Sequence, residues 1–204
     1  MKKLILILIF MANAVIAEAA LIDENESVAV MDLEIQSGNI DYDTDAMNAE
    51  MACTEYLIQQ LVSLQKFNVI DKELVYDELE TANIKRRGNI DPDTAKRIGE
   101  ILNVRYLIYG NVLSLTVNSE TSTAQFSEFK SSTVCAVVVI KILDTSNGRI
   151  LMAAKGYGLD SNSLADVLFI QIGSEKVSQT SVHNAIKQAA FKATDELVKR
   201  LFKL

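Results

Sequence analysis

The stretch from Thr133 to Leu143 constrains the fold more than any other segment. It is a nearly continuous apolar run rich in valine and isoleucine, and a strand of that kind belongs at the centre of a sheet, covered on both faces. Asp144-Thr145-Ser146-Asn147-Gly148 follows at once and is a strong turn signal. Arg149 to Tyr157 then returns as a strand, so the two form an antiparallel hairpin. The chain must supply helices to cover it.

The remaining segments supply them. Ser27 to Leu33 is β-branched-rich and reads as a first strand. A polar loop from Glu34 to about Asp43 leads into a helix from about Thr44 to Leu64, with Met47, Met51, Leu57, Ile58, Leu61 and Leu64 placed on one face. Phe67 to Ile70 is a second short strand. Asp71 begins another helix, expected to turn Leu74, Val75 and Leu79 inward. Asp91 can cap a further helix whose first turn holds Pro92, and that helix carries Ala95, Ile98, Ile101 and Leu102. Tyr106 to Val112 is a third strand. The chain closes in a long amphipathic helix, about Ser178 to Leu204, striped with Val182, Ala185, Ile186, Ala189, Ala190, Ala193 and Leu197. The order β-α-β-α-α-β-β-β-α predicts an α/β class: one three-layer-like domain on a mixed sheet with a long C-terminal helix. Two segments read as irregular. Residues 114–132 are mostly polar and Ser/Thr-rich, and beyond Leu115 and Val117 their large apolar residues are Phe126 and Phe129. Residues 158–177 are the second.

The N-terminus reads as a processing signal. Lys2 and Lys3 precede an unbroken apolar run from Leu4 to Met11, and small residues at Ala17 and Ala19 sit at signal-peptidase spacing. Residues 1–19 are therefore expected to be a cleaved signal peptide and residues 20–204 the exported domain. The apolar run is shorter than the ~20 residues of a spanning helix. A lipoprotein signal would place a cysteine after the small residues, but the first is Cys53, so a periplasmic, non-lipidated protein is expected. The 20 Lys and Arg against 27 Asp and Glu give a net charge of −7, and a cut after Ala17, which removes Lys2 and Lys3 but keeps Glu18, takes it near −9. Such acidity argues against nucleic acid and against electrostatic binding to anionic lipid.

The sequence carries no recognisable catalytic or cofactor-binding pattern. His183 is the single histidine and sits early in the last helix, which excludes multi-histidine metal sites. Walker A, G-x-G-x-x-G and Cys-x-x-Cys patterns are missing. Asp41-Tyr42-Asp43-Thr44-Asp45 alternates carboxylates as a calcium loop does, but Ala46 stands where that loop needs glycine and Ala52 where it needs a bidentate glutamate. These acids suit a helix N-terminus instead. Cys53 falls in a predicted helix and Cys135 in the apolar strand, where both read as small buried hydrophobes; spacing alone leaves their pairing open. No catalytic, cofactor or metal residues are expected. Phe126, Phe129 and Tyr42 stand as candidate contacts for a protein partner.

Several of these segments resemble a known family. Val28-Ala29-Val30-Met31-Asp32-Leu33, Phe67-Asn68-Val69-Ile70-Asp71-Lys72, Asp91-Pro92-Asp93-Thr94-Ala95, Tyr106 to Val112, Val138 to Asp144 and Gly148-Arg149-Ile150-Leu151 occur in the order and spacing of CsgG-like cell-envelope proteins. The resemblance spans about residues 27 to 204. It implies an α/β fold and a non-enzymatic role: an assembly or scaffolding protein that binds an envelope protein partner, with segments 114–132 and 158–177 as its contact surfaces. Alternatives within the family are a subunit of an oligomeric outer-membrane secretion pore, which would make the chain a homo-oligomer, and an activator of a peptidoglycan synthase. The missing lipidation cysteine, the wholly polar run from Asn118 to Thr123 and the lack of an evident hairpin partner for Leu164 to Ile172 weigh against the pore.

Overall fold

The computed structural model describes residues 22, 25–35, 44–86, 90–124, 127–167, 170–173 and 179–202. The expected signal peptide and Tyr42 lie outside them. The elements are β1 (Ser27–Ile35), α1 (Thr44–Ser63), β2 (Asn68–Val69), α2 (Lys72–Thr81), α3 (Pro92–Leu102), β3 (Tyr106–Ala124), β4 (Ser127–Asp144), β5 (Arg149–Val167), β6 (Ile170–Gly173) and α4 (Gln179–Phe202). The strands form one mixed sheet in the order β2-β1-β3-β4-β5-β6. β1 runs parallel to β2 and β3, and the other neighbours are antiparallel. The α/β class and element order are as expected, with β6 added.

Two apolar cores lie on opposite faces of the sheet. On one, Val28, Val30, Ile108, Val138, Ile140 and Ile142 meet Cys53, Leu57 and Leu61 of α1 and Ala185, Ile186, Ala189, Ala193 and Leu197 of α4. On the other, Ala29, Met31, Leu107, Tyr109 and Leu143 meet Val75 and Leu79 of α2 and Ala95, Ile98 and Leu102 of α3. Residues of opposite parity on β1 and β3 divide between the two cores, as the pleat requires, and the domain has three layers.

Local signals set the helix boundaries. The Asp91 carboxylate accepts from the backbone N–H of Asp93 and Thr94, and Pro92 fills the first turn of α3. Asp71 does the same for α2 through Glu73 and Leu74. α3 ends on Asn103 in the left-handed conformation, φ 50°. In α1 the buried stripe is Glu50, Cys53, Thr54, Leu57 and Leu61, while Met51 is 40% exposed. The stripe is thus rotated away from Met51, because buried Glu50 and Thr54 do not register as apolar; the side chain of Met47 lies outside the described residues. Leu74 is likewise outward, and Val75 and Leu79 alone anchor the buried side of α2.

The segments expected to be irregular are largely strand. β3 pairs with β4 from Tyr106↔Asp144 to Ala124↔Ser127, interrupted by one bulge near Leu113. β4 pairs with β5 out to Ser127↔Val167. The stretch expected to lack a hairpin partner pairs Leu164–Val167 with Ile170–Gly173. Polar Ser/Thr runs hide such strands because their pairing comes from the backbone and neither face has to be apolar.

Candidate interaction surface

The outer part of the β3-β4-β5 ribbon, beyond Val117 and Thr133, is polar on β3 and mixed on β4 and β5, which carry Phe129, Leu164, Ala165 and Val167. Asn118, Ser119, Glu120, Thr121 and Ser122 are all exposed on β3, and Ser119 and Ser132 join their hydroxyls across the ladder at 3.0 Å. Phe129 lies on β4 in this region, between Ser122 of β3 and Ala165 of β5. Phe126 and Tyr42 lie outside the described residues.

β5 builds the other surface. Its residues alternate strictly: Met152, Ala154, Gly156 and Gly158 are buried, while Ala153, Lys155, Tyr157 and Leu159 are exposed. The buried side lies under α4, whose Ala185, Ala189 and Ala193 are fully buried against it. A Cβ added at Gly156 would land on the Ala189 carbonyl oxygen, and one at Gly158 on the Ala185 carbonyl oxygen. Glycine is thus required at both positions for the helix to lie so close. On the exposed side, Tyr157 and Leu159 are 59% and 57% exposed, opposite Val137 and Cys135 of β4. Together they form a small apolar patch that no described helix covers.

One edge of β5 is largely unpaired among the described residues. Among the described residues, β6 pairs only with Leu164–Val167, so the remainder of β5 has β4 on one side and no strand on the other. A groove of about 370 Å³ runs between this edge and α4, lined by Lys155, Gly156, Tyr157, Lys192, Asp195, Glu196, Lys199 and Arg200. The Arg200 guanidinium donates to the Ala153 carbonyl at 3.0 Å and pairs with Glu196 at 2.8 Å. Tyr56 donates to Asp195 at 3.0 Å and stacks on Phe191 at 3.9 Å between centroids, tying α1 to α4 behind the groove.

At the opposite end of the hairpin, buried Asp144 organises the turn. It accepts from the Ser146 N–H and hydroxyl, the Asn147 amide and the Arg105 guanidinium at 2.6–3.1 Å. Burial pushes its carboxyl up, but these donors outweigh burial and hold it below the usual carboxylate range. Thr145 donates to the Val104 carbonyl at 2.7 Å and packs against Gly99 of α3. Tyr76 of α2 donates to buried Asp32 of β1, with Arg86 4.4 Å above its ring. These clusters are structural ties between layers.

The remaining sequence candidates are dispersed. His183 is half-buried on α4. Cys53 and Cys135 are both free. Cys53 lies in the α1–α4 core. Cys135 alternates with Val134 and Ala136 of that same core, so it faces the other way, and the sheet separates the two sulfurs. Among the described residues, no group of three His, Cys, Asp or Glu side chains could hold a metal, and no helix is long and apolar enough to cross a membrane.

Fold and surface define the class: a three-layer α/β domain extended by a long antiparallel ribbon. The chain belongs to the family described as curli production assembly/transport component CsgG, which matches residues 12–203. No curated protein matches it in sequence. Among solved structures it is similar to the LpoB C-terminal domain from Escherichia coli, with 11% identity, 72% of this chain and 91% of that one covered, and a TM-score of 0.46. It is similar to lipoprotein GNA1162 from Neisseria meningitidis, with 14% identity, 76% and 88% covered, and a TM-score of 0.42. It is also similar to the PelC dodecamer from Paraburkholderia phytofirmans, with 12% identity, 82% and 88% covered, and a TM-score of 0.35.

Proposed function

We infer that this chain is a non-enzymatic assembly component of the cell envelope that works in the periplasm by binding an envelope protein. Membership of the CsgG family across residues 12–203 carries the reading. The N-terminal signal-peptide pattern supports export, and the lack of a following cysteine supports a non-lipidated product. The exposed Tyr157 and Leu159 and the open edge of β5 supply a surface suited to a protein rather than to a small substrate.

A second reading, the outer-membrane pore subunit, gains support from the paired ribbon of β3, β4 and β5. Membrane strands need an apolar lipid-facing residue at alternate positions over ~9–11 residues. Residues 118–123 provide none, so this part of β3 suits water or a protein partner better than lipid.

Fractionation of the processed protein separates the two readings. The scaffold should appear in the soluble periplasmic fraction and co-purify with a defined envelope protein. Recovery in detergent-resistant outer-membrane rings would establish the pore instead.

A further inference from the structure

The Ala153 carbonyl is turned toward α4, where Arg200 binds it. In an antiparallel ladder a residue that turns its C=O away from one neighbour turns its N–H the same way, and this repeats every second residue. Lys155, Tyr157, Leu159 and Ser161 therefore present both main-chain groups to the open edge. The same parity reaches Ala165 and Val167, whose partners are Ile172 and Ile170 of β6. The stretch from Lys155 to Ser161 is thus roughly 20 Å of strand edge without a described partner.

Its surroundings indicate what would pair with it. The chain carries −7 overall, yet the groove beside this edge holds Lys155, Lys192, Lys199 and Arg200 against Asp195 and Glu196. Both acids are engaged, Glu196 by Arg200 and Asp195 by Tyr56, and no described carboxylate pairs with the three lysines. The face away from α4 carries Lys155 with exposed Tyr157 and Leu159, while on the α4 face Asp160 accepts from Asn184 at 3.5 Å. An added strand would place alternate side chains against two surfaces, one made basic by Lys192, Lys199 and Arg200 of α4 and one made largely apolar by Tyr157 and Leu159.

We propose that the edge of β5 from Lys155 to Ser161 is a strand-addition site for an extended partner segment in which acidic and apolar residues alternate. This rests on the assembly-component reading and gives it a chemical specificity. The backbone supplies the affinity, Lys192 and Lys199 select carboxylates, and Tyr157 and Leu159 take the apolar side chains.

The test uses the full processed chain and a fluorescent ten-residue probe alternating valine and glutamate. Saturable binding below 1 mM is expected, weakening at least tenfold for a valine–lysine probe and for K192E/K199E. A probe with alternate amides N-methylated should not bind. Leu159→Pro removes one edge N–H at a position where proline is tolerated, because that group faces away from β4; it should fold, by circular dichroism, and lose the probe. Equal binding of the methylated probe, retention by a folded Leu159→Pro, or no saturable binding overturns the proposal. An oligomer that Leu159→Pro dissociates, read by light scattering, would also overturn it by assigning the edge to a second copy. If an envelope partner co-purifies equally with wild type and Leu159→Pro, this site fails while the assembly role stands; if no partner co-purifies with wild type, the assembly role fails first.

Discussion

Gly156 and Gly158 decide how closely α4 lies on β5. Because an added methyl would meet helix backbone rather than a movable side chain, Gly158→Ala should destabilise by on the order of 3 kcal/mol in urea unfolding. Asp144 is the other residue with large local consequences. Asp144→Ala should cost about 2 kcal/mol, since it strands the Arg105, Ser146 and Asn147 donors. Its carboxyl is held low in the folded state. The stabilisation is therefore complete above the unfolded value of about 3.9 and is lost as pH falls through the folded value. The melting temperature should drop between pH 5 and pH 2, and Asp144→Asn should flatten that drop. The cysteines give a third check. Burial pushes the Cys53 thiol up to about 12, with Lys187 opposing and Glu50 assisting, whereas Cys135 is half-buried. Thiol titration of native protein should find Cys135 reacting first and no disulfide.

At the scale of elements, α1 is the clearest test of packing. Leu57 is 1% exposed and Met51 40%. Leu57→Ala should cost about 3 kcal/mol, while Met51→Ala should stay within about 0.5 kcal/mol. The reverse ranking in chemical denaturation would mean that α1 presents its methionine face to the sheet. The helix ends were largely legible in the sequence: Asp71, Asp91 with Pro92, and the turn from Asp144 to Gly148 all act as read. Capping and turn formation depend on chemistry within a few residues. The face that α1 buries was less legible, because burial of Glu50 and Thr54 follows from what lies opposite them.

Across the whole molecule, stability should be graded along the ribbon. Val138, Ile140 and Ile142 of β4 lie in the α1–α4 core, whereas Asn118 to Ser122 are exposed. Hydrogen exchange should be slowest in the former and much faster in the latter. Uniform protection along β3 would mean that the polar ribbon is covered in solution. The three-layer body thus holds a more exposed extension, and among the described residues most of the outer edge of β5 lacks a strand partner.

The α/β class, the central hairpin and the striped final helix were legible in the sequence, because hydrophobic periodicity, capping and turn chemistry are local and additive along the chain; the family was legible only as a resemblance of ordered motifs. Tertiary structure decided the rest. It converted polar stretches 114–132 and 158–177 largely into paired strands, because backbone hydrogen bonds between distant segments leave no mark on side-chain pattern. It placed Cys53 and Cys135 on opposite faces of the sheet. It also brought Lys192 and Lys199 of α4 beside the open edge of β5, a juxtaposition that arises only when the final helix lies on Gly156 and Gly158.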